Sequence, residues 1–202
     1  KSWNYDFTGT YQFGDDGEKK QDAYMITAEV GYKFQHSWKP RVSVFFGYVT
    51  GDKDPNDDKT NRFERFYGFA RPWSGDDYII PENVVTPKFK LEFEPVKGYK
   101  IDTGYSFYWL QSATDRFNNL LAGTGNRDNT GQSGKFLGHG FDSRLQFKPV
   151  KFIDLNVGYM YFSTGEFVNN RQDAANGEHS GASHFAYIEM TFNALDLFIK
   201  KK

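Results

Sequence analysis

The stretch Tyr99–Leu110, YKIDTGYSFYWL, sets Tyr99, Ile101, Thr103, Tyr105, Phe107 and Trp109 on one side of an extended chain and Lys100, Asp102, Gly104, Ser106 and Tyr108 on the other. Successive side chains of a strand point to opposite faces, so such a segment forms a strand with two chemically different surfaces. Seven further segments repeat the pattern: Trp3 to Phe13, Tyr24 to Phe34, Arg41 to Val49, Lys88 to Glu94, Phe141 to Lys148, Ile153 to Phe162 and His184 to Phe192. The last is the least sharp, because Phe185 and Tyr187 stand opposite Ala186, Ile188 and Met190. No helical stripe of comparable length competes.

The connections carry a second pattern. QHSWKP, PVKG and PVKF are short, whereas DDGEKKQD and the stretches from about Thr50 to Thr86, Gln111 to Gly140 and Ser163 to Ser183 are polar and mostly far longer than a hairpin needs. Short and long connections alternate, so an antiparallel meander gathers the short ones at one end. That sorting matches a membrane barrel with short turns on one side and long loops on the other.

Hydrophobicity alone does not separate this reading from a soluble barrel. There is no run of about 18 apolar residues for a spanning helix. A membrane barrel distributes its apolar residues over alternate positions, and the mean hydropathy of -0.71 fits both kinds of barrel. Aromatic residues make 19% of the chain, and Tyr and Trp suit a boundary between apolar and wet surroundings. The decisive feature is the polar face. A soluble carrier for an apolar ligand needs an apolar interior. Glu29, Lys33, Arg41, Lys88, Lys90, Glu92, Glu94, Lys100, Asp102, Asp142, Arg144 and Asp154 instead require a wet or ion-paired lumen.

Several separated stretches then carry a family likeness: GDKDPNDDKTNRFERFYGFARPWS (Gly51 to Ser74), YSFYWLQSATDRFNN (Tyr105 to Asn119), GKFLGHGFDSRLQFKP (Gly134 to Pro149), LNVGYMYFSTGEF (Leu155 to Phe167) and FAYIEMTFNAL (Phe185 to Leu195). Together they resemble the alginate export family of bacterial outer-membrane porins, in its carboxyl-terminal half. The resemblance implies an all-β, antiparallel transmembrane barrel in the Gram-negative outer membrane, surrounded by lipid or detergent, with an electropositive aqueous route for passive passage of an anionic saccharide such as alginate, or of a small anion.

Barrels of that family have roughly twice the strands found here, so two architectures stand. In one, these eight strands are part of a barrel of about 16 to 18 strands, completed by a missing segment or a second chain. In the other, they close alone as a monomer, a structural or surface-binding barrel without a conducting pore.

Candidate residues follow from the faces. Arg41, Lys88, Lys90, Lys100, Arg144 and Lys148 are the basic positions expected to line an anion pathway, and the neighbouring acids offer an alternative role in a cross-strand ion-pair lattice. In the long loops Arg62, Arg65, Arg71 and Arg116, interspersed with Phe63, Phe66, Tyr67, Phe69 and Trp73, are candidates for a constriction. Asp76 and Asp77 belong to the same insertion.

Asp52, Asp54, Asn56 and Asp57 form a weak oxygen-ligand cluster, but the turn glycine and twelfth-position glutamate of a calcium loop are missing, so no metal is expected. No cysteine is present, and His36, His139, His179 and His184 are scattered without zinc-binding spacing. Neither a nucleophile elbow nor a phosphate-binding loop occurs. The expectation is a non-enzymatic protein without a cofactor, and the formal charge of -1 offers no field for nucleic acid.

Overall fold

The computed structural model describes residues 2–66, 73–75, 78–119, 123–176 and 181–194. Eight long strands run in chain order across one antiparallel sheet: β1 (Trp3–Asp16), β2 (Lys19–Lys33), β3 (Arg41–Val49), β5 (Val84–Val96), β6 (Tyr99–Leu110), β9 (Phe136–Val150), β10 (Ile153–Thr164) and β11 (Ala182–Phe192). The remaining elements sit in the long connections. They are the two-residue β4 (Lys59–Thr60), the hairpin β7 (Arg116–Asn119) and β8 (Gly123–Arg127), and the helix α1 (Glu166–Asn176).

The alternation expected from sequence is the alternation observed. On the inner strands the outward Phe89 is 54% exposed and Val44 47%, while the inward Lys88 is 5% exposed and Ser106 fully buried; the edge strand β1 is open on both faces. Strands of 9 to 15 residues meet the roughly 9–11 that a tilted strand needs to cross a bilayer. The outward rings pair along and across strands, as in Tyr24 with Tyr48 at 5.8 Å and Tyr99 with Phe147 at 5.2 Å.

Several features differ from the sequence reading, among them β5, which begins at Val84 and not near Lys88. Strands β1 and β2 extend through most of DDGEKKQD, leaving a tight turn at Gly17, whose φ of 63° suits glycine. Strand β9 begins at Phe136, five residues earlier than expected, because a bulge leaves Leu137 unpaired between Phe136 and Gly138. Gly138 takes φ 141°, and a Cβ there would stand 2.1 Å from the Ser163 carbonyl oxygen. The long loops, moreover, are packed structures.

Those loops build the apolar core at the long-loop end of the sheet. Phe63, Trp73, Ile79, Phe117, Phe167 and Val168 from the connections bury against the inward strand residues Tyr108, Leu110 and Phe162, joined by Leu137 from the bulge. The inward face is therefore polar over the middle of the strands and apolar beneath the loops.

Among the described residues no ladder joins β1 to β11, so the sheet is open in this chain. The self-closed eight-stranded barrel does not describe it. Closing eight strands leaves an interior just wide enough for side chains. Here the concave face also accommodates a loop segment carrying Trp73 and Gly75, which argues for a wider enclosure.

Candidate lumenal pathway

The register assembles the inward side chains into rows. Lys33, Arg41, Glu92, Asp102, Arg144, Gly158 and Tyr187 are successive cross-strand partners from β2 to β11. The next row toward the loops is Asn4, Gly31, Ser43, Lys90, Gly104, Asp142 and Met160. The third is Asp6, Glu29, Phe45, Lys88, Ser106, Gly140 and Phe162. These rows line a concave space of about 690 Å³.

Ion pairs knit the rows together. The Arg41 guanidinium lies 2.6 Å from Glu29, also pairs with Glu92, and donates from Nε and Nη2 to Asn4 Oδ1 at 3.0 and 2.6 Å. Lys90 shares Glu29 at 3.0 Å, Lys88 meets Asp142 at 2.7 Å, and Arg144 donates to Asp102 at 2.9 Å. Of the six pathway candidates, Arg41, Lys88, Lys90 and Arg144 thus line the main space together. Lys148 lies apart at the short-turn end, 2.8 Å from Asp154.

Lys100 belongs to a second recess of about 200 Å³ at the short-turn end, with Lys33, Lys39, Arg41, Glu92 and Glu94. Lys39 is paired with Glu94 at 2.5 Å. Neither Lys33 nor Lys100 has an ion-pair partner among the described residues. In the ladder Lys33 stands directly opposite Arg41, whose guanidinium is neutralised by Glu29 and Glu92.

The described part of the insertion between β3 and β5 reaches the concave face above the ion-paired rows at Trp73 and Gly75. It is tied to β1 and β2 by Gln12, whose Nε2 donates to the Glu64 carbonyl at 2.6 Å, and by Gln21, which donates to the Arg62 carbonyl at 2.8 Å. Further along, the Trp73 ring stands edge-on to Phe45 at 5.5 Å and fills the space over Gly47. The Trp73 carbonyl accepts from Tyr108 Oη at 2.8 Å, and Gly75 packs on Met160 Sδ.

The constriction candidates divide. Arg62 is paired with Glu64 at 2.9 Å and with the buried Asp115 at 2.8 Å; Arg116 lies 3.4 Å from Glu64 and 3.3 Å from Glu82. Arg127 adds contacts to Asp52 and Asp115. These guanidinium groups lock loop to loop. Arg65 is half-buried in the same insertion, and Arg71, with Tyr67, Phe69, Asp76 and Asp77, lies outside the described residues.

The weak oxygen cluster is dispersed among backbone partners. Asp54 Oδ1 accepts from Asn56 N and Asp57 Oδ1 from Lys59 N, both at 2.9 Å, while Asp52 turns inward to Arg127. The described residues hold no group of three or more His, Asp or Glu arranged for a metal ion. His139 and His184 face outward and accept from or donate to Tyr105 and Tyr159 at 2.7 and 2.8 Å, and His36 lies in the turn before Trp38. His179 lies outside the described residues.

Sequence reasoning passed over one structural residue, Asn83. It is fully buried at φ 47°, donates from Nδ2 to the Ser112 and Arg116 carbonyls at 3.0 and 3.1 Å, and accepts from Ser112 N at 2.7 Å. Its tolerance of left-handed backbone was the signal available.

A search of curated proteins found no match to the chain. The family model described as alginate export matches residues 1–182. With nearly the whole chain matched, and with an antiparallel sheet apolar outside and ion-paired inside, the protein belongs to the alginate export family, a transport family and not an enzymatic one.

Proposed function

We propose that this chain forms part of the wall of a larger outer-membrane barrel through which anionic solutes, including uronate-type oligo- or polysaccharides, diffuse passively. The observation that carries the reading is the short-turn recess, where Lys33 and Lys100 stand without an ion-pair partner among the described residues, beside an Arg41 already paired with Glu29 and Glu92. Two ammonium groups not held by a carboxylate leave this recess able to attract a passing one. Deeper in, the part-exposed Arg41, Lys90 and Arg144 offer successive contact points along the wall, while Lys88 is held in a buried pair with Asp142.

The open edges support the larger barrel. Unpaired strand edges are not stable in lipid, so β1 and β11 require further strands, from the same polypeptide or from another. The surrounding partner is the lipid of a Gram-negative outer membrane, or detergent in its place, which the exposed rings of Trp3, Phe7 and Phe89 suit.

Liposome swelling tests the solute class. Vesicles bearing the complete barrel are expected to admit small uronates faster than neutral or cationic sugars of the same size. Equal rates for all three would reject anion guidance.

A further inference from the structure

The inward rows contain glycines, and several are filled by a side chain from another strand. A Cβ built at Gly31 would stand 2.5 Å from Nη2 and 2.7 Å from Cζ of Arg41; at Gly104 it would stand 2.4 Å from Cε of Lys88; at Gly158 it would stand 2.2 Å from Cε1 of Tyr187. None of these glycines has a positive φ, so their backbone conformation is open to other residues. The space a side chain would occupy is what glycine leaves free.

The two basic cases share one geometry. Arg41 on β3 passes over Gly31 on β2 to reach Asn4 on β1. Lys88 on β5 passes over Gly104 on β6 to reach Asp142 on β9. Each cation spans a strand spacing of about 4.8 Å twice, which a long side chain does only when it lies flat on the intervening strand. Gly31 and Gly104 are moreover in the same cross-strand row, separated by Ser43 and Lys90.

We propose that Gly31 and Gly104 are positioning residues, seats that hold the Arg41 and Lys88 side chains against the wall and thereby set the free width of the lumen. A methyl group at Gly31 meets the far end of Arg41, and at Gly104 it meets Lys88 Cε at 2.4 Å and the Asp142 carboxylate at 3.2 and 3.4 Å, so the contacts are with side chains and not backbone, the sheet persists and the cation swings into the passage. The consequence for transport rests on the proposed anion route; the seating itself does not.

The test labels the complete, membrane-assembled protein. In wild type, Lys88 is nearly inaccessible and Lys148 is 59% exposed on its side chain, so Lys148 is the internal reference for acylation by N-hydroxysuccinimidyl acetate read by mass spectrometry. Gly104→Ala is expected to raise the Lys88 rate relative to Lys148 at least about tenfold, as release of a buried ion pair implies. Gly31→Ala is expected to raise phenylglyoxal modification of Arg41 in the same manner. Gly9→Ala, where the nearest side-chain atom is 4.0 Å away, is expected to change neither.

Unheated gel mobility checks assembly, and if one glycine variant fails to assemble the other decides. Labelling rates unchanged in the assembled variants would overturn the proposal. Increased labelling together with no anion preference in wild type would uphold the seats and remove the transport reading.

Discussion

Lys88 on β5 and Asp142 on β9 form an ion pair at 2.7 Å although β6 lies between them. The side chains are 6% and 16% exposed, so each neutralises a charge with little access to water. Removing Lys88 alone leaves an uncompensated carboxylate. Lys88→Met is expected to destabilise the assembled protein by about 3 kcal/mol, and adding Asp142→Asn to recover most of that loss. Equilibrium unfolding of the two variants in lipid checks this, and additive losses would show that the residues act independently.

The loops should come apart as a unit. Asp115 has no exposed side-chain surface, receives Arg62 and Arg127, and accepts from Asp52 N at 2.7 Å. Asp115→Asn leaves Arg62 with Glu64 and Arg127 with Asp52 and removes their shared buried acceptor, a change worth about 1–3 kcal/mol. Hydrogen exchange is expected to accelerate together in residues 50–66 and 112–117, with strands β1 to β3 unchanged.

Asn83 can be tested by splitting its two roles. Asn83→Ala loses three side-chain hydrogen bonds and places alanine at φ 47°; Asn83→Gly loses the bonds and keeps the backbone. Both are expected to loosen the connection between Glu82 and Ser112, alanine by about 1 kcal/mol more because of left-handed strain. Equal losses, read by limited proteolysis of the loops, would mean that the hydrogen bonds carry the whole effect.

Acid sensitivity of the loop after β8 has a definite sign. Thr130 and Ser133 donate to Asp128 at 2.7 to 2.9 Å and hold its carboxyl well below the usual carboxylate range. A depressed folded-state pKa gives stabilisation that is present above the unfolded value of about 3.9 and lost as pH falls through the folded one. Protection of the Thr130 and Ser133 amides is expected to stay level from neutral pH to about 5 and then decline below about 4. Asp128→Asn should remove that decline.

Much of this architecture was legible in the chain because a strand writes its two faces in alternate residues. Tyr99–Leu110 assigned its own inside and outside, and the eight long strands and sorted loops followed. What the pattern did not carry was distance between strands. Arg41 and Asn4 are 37 residues apart, and only the register shows that Gly31 lets them meet. The glycines read simply as members of the polar face. Likewise Trp73 and Phe63 lay in polar insertions whose inward course depends on the apolar patch of Tyr108, Leu110 and Phe162; alternation put Tyr108 inward but carried no sign that loop residues would cover it.

The central claim, a basic-biased route through a larger barrel, is tested most directly by the reversal potential of single channels from the complete protein in a planar bilayer across a potassium chloride gradient. Such a lumen gives stepwise conductance with a potential displaced toward that of chloride, and a smaller displacement in the Lys33→Gln/Lys100→Gln variant. Cation preference, or no conductance from the assembled barrel, would contradict it.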